Sequence, residues 1–334
     1  MTVGPAVPEA GGVGGTTGTI KTLKTVPSKT VEAVAGLSAG FCTTLLAHPL
    51  DFVKLRLQLD TTSASQQQAV GRIYRTLVAA STDAATGQVS VPRFLGNVYR
   101  GVGPNLLGST SAWALYFYFY RQYKNLVLQY ADLDRDSSLQ SWHYLLSAFA
   151  AGWTTSVLTN PIWVIKTRMI STQRTAPGAY RSVLHGLRQI YTEEGVLGYY
   201  RGLTPALFNV AQGAVQLSLY DIFKRHLVDR NNSNTAADDP AGQRLTTLQY
   251  FYASSTSKML STGVFYPLQV VRSRLQVVHH THRLQSVTAL CADMYRREGL
   301  RAFYKGLLTN LLRVVPATCT TFLIYEKMKE YLGA

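Results

Sequence analysis

Three short stretches of this sequence place a cation five residues after a proline, inside otherwise apolar runs. They read HPLDFVKLRL, NPIWVIKTRM and YPLQVVRSRL, and they begin at His48, Asn160 and Tyr266. In the first stretch Asp51 and Lys54 are spaced i, i+3, so they share one face of a helix and suit an ion pair. The equivalent positions hold Trp163 with Lys166 and Gln269 with Arg272. Such a ring of charged and polar groups can act as a gate that is formed in one conformation and broken in another.

The same stretches mark an internal repeat. Their prolines are separated by 112 and 106 residues, at Pro49, Pro161 and Pro267. A Tyr-basic-Gly triplet recurs in the same register, at Tyr99, Tyr200 and Tyr304. An acid-glycine pair precedes the last two triplets, whereas the first repeat has Arg93-Phe94 there. Two signatures in one register predict three homologous units after a disordered tail at 1–28, namely 29–133, 139–235 and 245–334.

Charge and composition favour a membrane protein. Lys and Arg outnumber Asp and Glu by 33 to 18, a net charge of +15, which suits nucleic acid, an anionic membrane surface or an anionic solute. Charged residues make up only 15% of the chain, against roughly 25% in soluble domains. The basic residues fall in loops and at the ends of apolar segments, which argues against nucleic-acid binding.

Signals for catalysis and metal binding are weak. The three cysteines share no short spacing, and the HHTH run from His279 has no nearby Cys or carboxylate to complete a metal site. The Gly-Val-Gly at Gly101 follows no predicted strand, so a dinucleotide fold is not supported. Because no nucleophile and base stand together, we expect no enzyme, no cofactor and no metal.

Each repeat contains two long segments with almost no charge. They cover residues 33–50, 101–120, 137–165, 202–220, 245–271 and 306–325. A membrane-spanning helix needs about 20 residues, and each proline is predicted to bend its helix. The mean hydropathy of only +0.02 means that polar faces must line a water-filled interior. The predicted fold is therefore an all-α membrane protein with six transmembrane helices in three pseudosymmetric repeats.

The distribution of charge in the loops predicts the orientation. Loops inside the repeats hold 18 Lys and Arg against six acids, whereas the loops between repeats are balanced. The positive-inside rule places the basic loops on the negative side of the membrane and both termini on the other. Within those loops, apolar residues at helical spacing near 183–191 and 287–294 predict short amphipathic helices at the surface.

These motifs resemble the mitochondrial carrier family. The Pro-x-Asp-x-x-Lys-x-Arg pattern and the later acid-Gly-x4-Tyr-basic-Gly pattern, each in repeated form, cover residues from about 29 to 334. The resemblance implies a monomeric transporter of the inner mitochondrial membrane that works by alternating access, with its basic loops in the matrix and with cardiolipin at the helix ends there. It also implies that no cofactor is bound, since a nucleotide or vitamin would be cargo.

The resemblance implies gates at both ends of the cavity. At the matrix gate Asp51 should pair with Lys166, whereas Trp163 and Gln269 offer no carboxylate to Arg272 and Lys54. The family's glutamine braces match Gln58 and Gln276. At the cytoplasmic gate Glu326 would pair with Lys124 and Asp221 with Lys329, which leaves Arg121 facing Lys224.

The same resemblance narrows the substrate to aromatic anions. Trp163 in NPIW resembles the branch of the family that carries FAD, folate, NAD and pyrimidine nucleotides. Two further stretches, SAWALYFYFY on the second predicted helix and KGLLTNLLRVVP on the sixth, look most like the FAD and folate members. FAD is the first choice, then folate, then NAD or a pyrimidine nucleotide, and a non-transporting membrane scaffold is the alternative from another class. Aromatic side chains can stack on rings while cations bind phosphates or carboxylates. The candidate substrate residues are Arg313, Lys258, Trp113, Tyr116, Asn209 and Gln212.

Overall fold

The computed structural model describes residues 28–62, 65–83, 86–130, 140–173, 178–234, 246–277 and 286–332. The predicted N-terminal tail, apart from Ser28, lies outside the described residues, and so does the HHTH run. Within the described residues the chain is almost entirely helical, with one isolated β-bridge between Thr82 and Val89. The predicted all-α class is confirmed.

Long helices form the body of the molecule. They are α1 (Ser28–Leu59), α4 (Val102–Tyr130), α5 (Ser141–Ser171), α8 (Ala211–Asn234), α9 (Thr247–Val277) and α11 (Leu307–Leu332). The short helices between them are α2 (Gln66–Ser81), α3 (Val91–Val98), α6 (Val183–Glu194), α7 (Leu203–Asn209) and α10 (Val287–Glu298), with single 3₁₀ turns at Val196–Tyr200 and Leu300–Tyr304. The surface helices predicted near 183–191 and 287–294 are thus α6 and α10.

The long helices close into a ring. Helix α4 packs along α5 and α8 along α9, so that neighbours from successive repeats are joined, and α1 packs along α11 to complete the circle. At 1.5 Å per residue, the 31 or 32 residues of α1, α5 and α9 are long enough to cross a bilayer. By length and hydropathy alone one described stretch, Leu300–Met328, qualifies as a span. The other long helices carry polar residues toward the interior, which lowers their average hydropathy.

The prolines lie inside continuous helices. Pro49, Pro161 and Pro267 are followed by about three further helical turns in α1, α5 and α9. The ends of these helices are bonded together: Arg168 Nε donates to the Gln276 carbonyl at 2.8 Å, and Arg274 Nε to the Gln58 carbonyl at 2.9 Å. We call this side of the molecule the closed end.

Buried ion pairs attach the surface helices to the closed end. The fully buried Arg168 donates two hydrogen bonds to Glu194, at 2.6 and 2.9 Å, and Arg201 reaches the same carboxylate at 2.6 Å. Repeat 3 is built in the same way, because Arg274 and Lys305 both bind Glu298. Each glutamate is the last residue of its helix, α6 or α10. The acid of the acid-glycine motif therefore fastens a surface helix to a long helix.

The glycine of the Tyr-basic-Gly triplet permits a close approach at the same place. Gly202 has φ 73°, and a Cβ there would lie 3.0 Å from the Arg272 carbonyl oxygen. Gly306 has φ 84°, and its Cβ would lie 3.0 Å from the Lys54 carbonyl oxygen. Both the left-handed backbone and the close backbone neighbour exclude a side chain. In repeats 2 and 3 the chain that follows the triplet can consequently begin directly against the residues that form the predicted gate.

Repeat 1 departs from this plan. Its surface helix α2 ends at Ser81, further from the tyrosine triplet than α6 or α10, and the short helix α3 takes the place of the 3₁₀ turns that lead into the triplets of the other repeats. When the repeats are aligned on their tyrosine triplets, Arg93 takes the position of Glu194. Arg93 lies on α3, however, where its Nη1 is 3.6 Å from Asp83 Oδ2. The last residue of α2, fully buried Ser81, occupies the end-of-helix position that Glu194 and Glu298 hold.

Removing one of the buried carboxylates should destabilise the fold. In Glu194→Gln, Arg168 stays buried with only a neutral partner, and breaking a buried pair costs about 3–5 kcal/mol when one charge is left uncompensated. The matched control is Asp293→Asn, which removes an exposed pair with Arg297 and should cost no more than about 1 kcal/mol. Thermal unfolding of the detergent-purified protein measures both, and equal shifts would contradict the assignment.

Glu298 should make stability depend on acid. Burial by itself raises its pKa, but hydrogen bonds and charge from Arg274 and Lys305 outweigh burial and hold the pKa below its usual range. Since the folded-state pKa is depressed, the pair stabilises above the unfolded value of about 4.3 and is lost as pH falls through the folded pKa. Glu298→Gln should flatten the acid limb of a plot of melting temperature against pH, and an unchanged limb would refute this role.

Candidate functional site

The residues predicted to form the matrix gate meet at the closed end, close after the three prolines. Lys54 Nζ donates to Gln269 Oε1 at 3.2 Å, so the predicted partners from repeats 1 and 3 do meet, through a neutral hydrogen bond. Gln269 Nε2 in turn donates to Gln212 Oε1 at 3.2 Å, and Gln212 donates to Thr262 Oγ1 at 3.1 Å. Gln212, predicted to bind substrate, is buried within this network.

Asp51 is bonded to Arg313 in this structure. The prediction that Asp51 pairs with Lys166 is therefore wrong here, although Lys166 lies near enough to act electrostatically on the carboxylate. Helix α11 packs along α1, and the long, forked guanidinium of Arg313 reaches the carboxylate from there. Lys166 instead lies over the ring of Trp163, 5.0 Å from its centroid, in a cation–π contact.

Trp163 is held by the helix that carries it. Its indole Nε1 donates to Thr159 Oγ1 one turn earlier, at 3.2 Å. The indole then presents a ring face to Lys166, where the motif of the first repeat has a carboxylate. A ring face attracts a cation more weakly than a carboxylate does, and it leaves the ammonium charge uncompensated.

The closed end therefore has an excess of positive charge. Among the described residues, the gate region has one carboxylate, Asp51, and four cations, Lys54, Lys166, Arg272 and Arg313. The predicted braces do not contact these charges directly. Gln58 bonds Tyr266 and Ser273, at 3.1 and 2.8 Å, and Gln276 accepts from Thr167 at 2.7 Å. They connect helix to helix one turn beyond the charges.

Sequence reasoning missed three polar partners of these glutamines. Tyr266 accepts from Gln58 and donates to the Lys305 carbonyl at 3.0 Å, which joins α1, α9 and the start of α11. Thr167 and Ser273 immediately follow the gate cations Lys166 and Arg272 in the sequence. A small hydroxyl residue at the same position in both repeats was the sequence signal that could have identified Thr167 and Ser273.

A cavity of about 800 Å³ lies above the gate. Its walls come from α4, α5 and α8, with Ser254 of α9, and Trp163 of the gate is part of its lining. Aromatic residues line it on opposite sides, namely Trp113 and Tyr116 of α4 and Tyr220 of α8. Trp113 meets Tyr116 edge to face with ring centroids 6.3 Å apart, and Trp113 is largely exposed. The predicted aromatic pair is therefore available to a ligand.

Two further candidates are not part of the cavity lining. Lys258 Nζ donates to Gln216 Oε1 at 3.0 Å, which joins α9 to α8, and Gln216 lines the cavity. Asn209 is the last residue of α7, and its buried side-chain oxygen has no hydrogen-bond partner among the described residues. Trp113 and Tyr116 thus line the cavity and Lys258 contacts it through Gln216, whereas Gln212 and Arg313 belong to the network at the predicted gate.

We call the opposite side of the molecule the open end, for its lack of links between the proline-bearing helices within the described residues. Among the described side chains, no hydrogen bond joins α1, α5 and α9 to one another before their prolines. Of the predicted cytoplasmic gate, Asp221, Lys224 and Glu326 are exposed, and no ion pair of Glu326 with Lys124 is formed within the described part. The side chain of Lys329 lies outside the description. A gate that closes in another conformation is still a prediction for this end.

Comparison with known proteins decides the family. A sequence profile described as "Mitochondrial carrier protein" matches residues 25–131, 137–231 and 243–334, one match for each repeat. The chain belongs to the mitochondrial carrier family. It is a transporter by membership, and members of this family are not enzymes.

Named relatives of this carrier move cofactors. It is 36% identical to the mitochondrial FAD carrier protein FLX1 of Saccharomyces cerevisiae, over 90% of this chain and 96% of that one. It is 33% identical to folate transporter 1, chloroplastic, of Arabidopsis thaliana, over 90% and 95% of the two chains. It is 32% identical to nicotinamide adenine dinucleotide transporter 1, chloroplastic, of the same plant, over 90% and 91%.

A carboxylate at position 269 should strengthen the closed end. Gln269→Glu would turn the 3.2 Å hydrogen bond from Lys54 into an ion pair and so slow the opening on which transport depends. Gln269→Asn is the matched control, because it shortens the side chain and adds no charge. Initial rates of solute uptake into proteoliposomes compare the variants, and unchanged or faster uptake by Gln269→Glu would count against this gate.

Proposed function

We propose that this carrier moves an anionic aromatic cofactor, in the first place FAD, across the mitochondrial inner membrane by alternating access. The observation that carries the proposal is an aromatic-walled cavity next to the cations of the closed end, which are joined through Trp163, because Trp163 lines the cavity and Lys166 lies over its ring. The isoalloxazine and adenine rings of FAD can stack on Trp113 and Tyr116, and its diphosphate can bind cations below them. The 36% identity to the mitochondrial FAD carrier protein of Saccharomyces cerevisiae supports the same choice.

The gate charges provide a way to couple binding to opening. Asp51 forms an ion pair with the guanidinium of Arg313 in this structure. A phosphate that bound Arg313 would compete with that carboxylate. Release of Asp51 would leave it near Lys166 and Lys54 while the closed end rearranges. Binding energy from the substrate would thus lower the barrier to opening, as alternating access requires.

The orientation follows from the loop charges. The closed end carries the basic surface helices, which we assign to the matrix, so the open end and both termini face the intermembrane space. In this orientation the structure represents the state that accepts substrate from the cytoplasmic side. A monomer suffices, since each ring of helices encloses its own cavity, and anionic lipid such as cardiolipin can bind at the matrix ends of the helices.

Folate and NAD are the alternatives that an observation favours, because relatives of similar identity are named for them. Both are anions with planar rings, so the cavity accepts the same kind of contacts. They differ from FAD in the number of rings and in the placement of charge, which uptake selectivity can resolve.

Uptake into proteoliposomes tests the substrate. Labelled FAD should accumulate saturably, faster than folate or NAD at equal concentration, and liposomes without protein provide the background. Preferred uptake of folate or NAD would overturn the choice of FAD and keep the carrier mechanism. Uptake of no solute would support the membrane scaffold instead.

A double variant separates the two roles of Arg313. Arg313→Gln should reduce FAD uptake at least about tenfold, because a charge-assisted hydrogen bond contributes about 1.5–3 kcal/mol. If Arg313 only neutralises Asp51, the double variant Asp51→Asn with Arg313→Gln should regain transport. If Arg313 binds the substrate, as proposed, the double variant should remain as slow as Arg313→Gln.

A further inference from the structure

The threefold plan of the closed end is incomplete in repeat 1. Arg56, Arg168 and Arg274 each follow the proline of their repeat by seven residues. Arg168 and Arg274 both donate two hydrogen bonds to a glutamate and one, through Nε, to a backbone carbonyl of the next long helix. By the same symmetry Arg56 should bind a carboxylate at the end of α2 and the carbonyl of Ile170.

Arg56 makes neither contact. Its Nε is buried without a hydrogen-bond partner among the described residues, and its guanidinium lies over the Phe52 ring, 5.3 Å from the centroid. The residue that ends α2 is Ser81, which has no charge and accepts a hydrogen bond from Asn97 at 3.2 Å. A guanidinium with a buried, unbonded nitrogen is costly unless a ligand or water satisfies it.

A separate cavity of about 300 Å³ lies beside Arg56 and the C-terminal part of α2, and Ala80, the neighbour of Ser81, lines it. Arg56, Arg72 and Arg100 line it, and Asp60, which also lines it, is bonded to Arg72 at 3.2 Å. Arg100 is the repeat-1 counterpart of Arg201 and Lys305, the second cations on Glu194 and Glu298. Within the described residues, this side of repeat 1 therefore keeps the cations found in repeats 2 and 3, whereas the residue that ends its surface helix has no carboxylate.

The rest of the lining fits a phosphate-sized group with an apolar side. Polar groups come from Asn97 and Thr172, and Phe52, Ile73 and Leu77 form an apolar wall beneath α2. Arginine binds phosphate and carboxylate through the same forked geometry. Three guanidiniums and one carboxylate line the pocket, so it suits an anion such as phosphate, which carries about two negative charges near neutral pH.

We propose that this pocket of repeat 1 binds a phosphate group, in the place of the glutamate that repeats 2 and 3 supply from their own chain. The bound oxyanion accepts hydrogen bonds from Arg56 and Arg100 and fastens α2 to α1, as Glu194 and Glu298 fasten α6 and α10. The site is distinct from the transport cavity, so it acts on the stability of the closed end and not on substrate recognition.

The phosphate can come from free inorganic phosphate or from the headgroup of an anionic phospholipid. Both offer the same oxygens to the arginines, and the apolar wall under α2 suits an acyl chain equally well. Separate additions of the two to delipidated protein therefore identify the source.

The test is phosphate binding to the purified, delipidated full-length protein in detergent. Equilibrium dialysis with labelled inorganic phosphate, at ionic strength held constant with chloride, gives the affinity, and the melting temperature gives the stabilisation. Arg56→Gln should weaken binding at least about tenfold, since it removes a charge-assisted hydrogen bond. Ser81→Glu should supply the missing carboxylate, abolish phosphate binding and raise the melting temperature in the absence of phosphate.

Two controls keep the outcome independent of folding and of transport. Arg93→Gln removes an exposed arginine outside the pocket and should bind phosphate like the wild type, and Ser81→Gln adds the size of glutamate without its charge. If phosphatidylglycerol raises the melting temperature and inorganic phosphate does not, with the effect lost in Ser81→Glu, the headgroup is the source. If phosphate acts equally on wild type, Arg56→Gln and Ser81→Glu, the pocket is not the site and the proposal falls, whatever solute the carrier transports.

Discussion

Neutralisation of buried guanidinium groups is the constraint on which the closed end depends. Arg168 is wholly buried and Arg274 nearly so, and a buried charge is tolerated only when it is paired and fully hydrogen-bonded. The chain meets this requirement with Glu194 and Glu298, each at the end of a surface helix. The same arginines also donate to carbonyls of neighbouring long helices. A single guanidinium thus holds a surface helix and a neighbouring long helix against the helix that carries it.

The cations Lys166 and Arg272 of the predicted gate lie two residues before the anchors Arg168 and Arg274, and they follow a looser rule. Among the described residues the predicted gate has four cations and one carboxylate, and neutral partners such as Gln269 and the Trp163 ring replace the missing acids. Hydrogen bonds to neutral groups hold a closed state less firmly than ion pairs do. A rigid anchor next to a weakly held gate is physically suited to a carrier, because the gate must break in every cycle while the fold must not.

The excess positive charge also connects the gate to the substrate. A cavity wall of aromatic rings suits planar groups, and the cations of the closed end would attract phosphates or carboxylates over several ångströms. An anionic substrate is then drawn toward the residues whose bonds must change. The Asp51–Arg313 pair is central to this scheme, because the same guanidinium serves the closed gate and is the proposed ligand of the phosphate.

The sequence alone determined the repeat and the helical class, because these rest on local periodicity and on spacing along the chain, and it predicted a ring of gate residues. Spacing from Pro49 and Pro267 aligned Gln269 with Asp51 and Lys54 with Arg272, and the structure bonds Lys54 to Gln269. Only the tertiary structure decided which cation Asp51 binds, since Lys166 and Arg313 both lie near it and the packing of α11 along α1 brings Arg313 into contact. It also decided that α2 ends at Ser81, because additional residues between α2 and Tyr99 shift the count. Partners distant in sequence are chosen by packing and by the cost of burying charge, which the order of residues does not show.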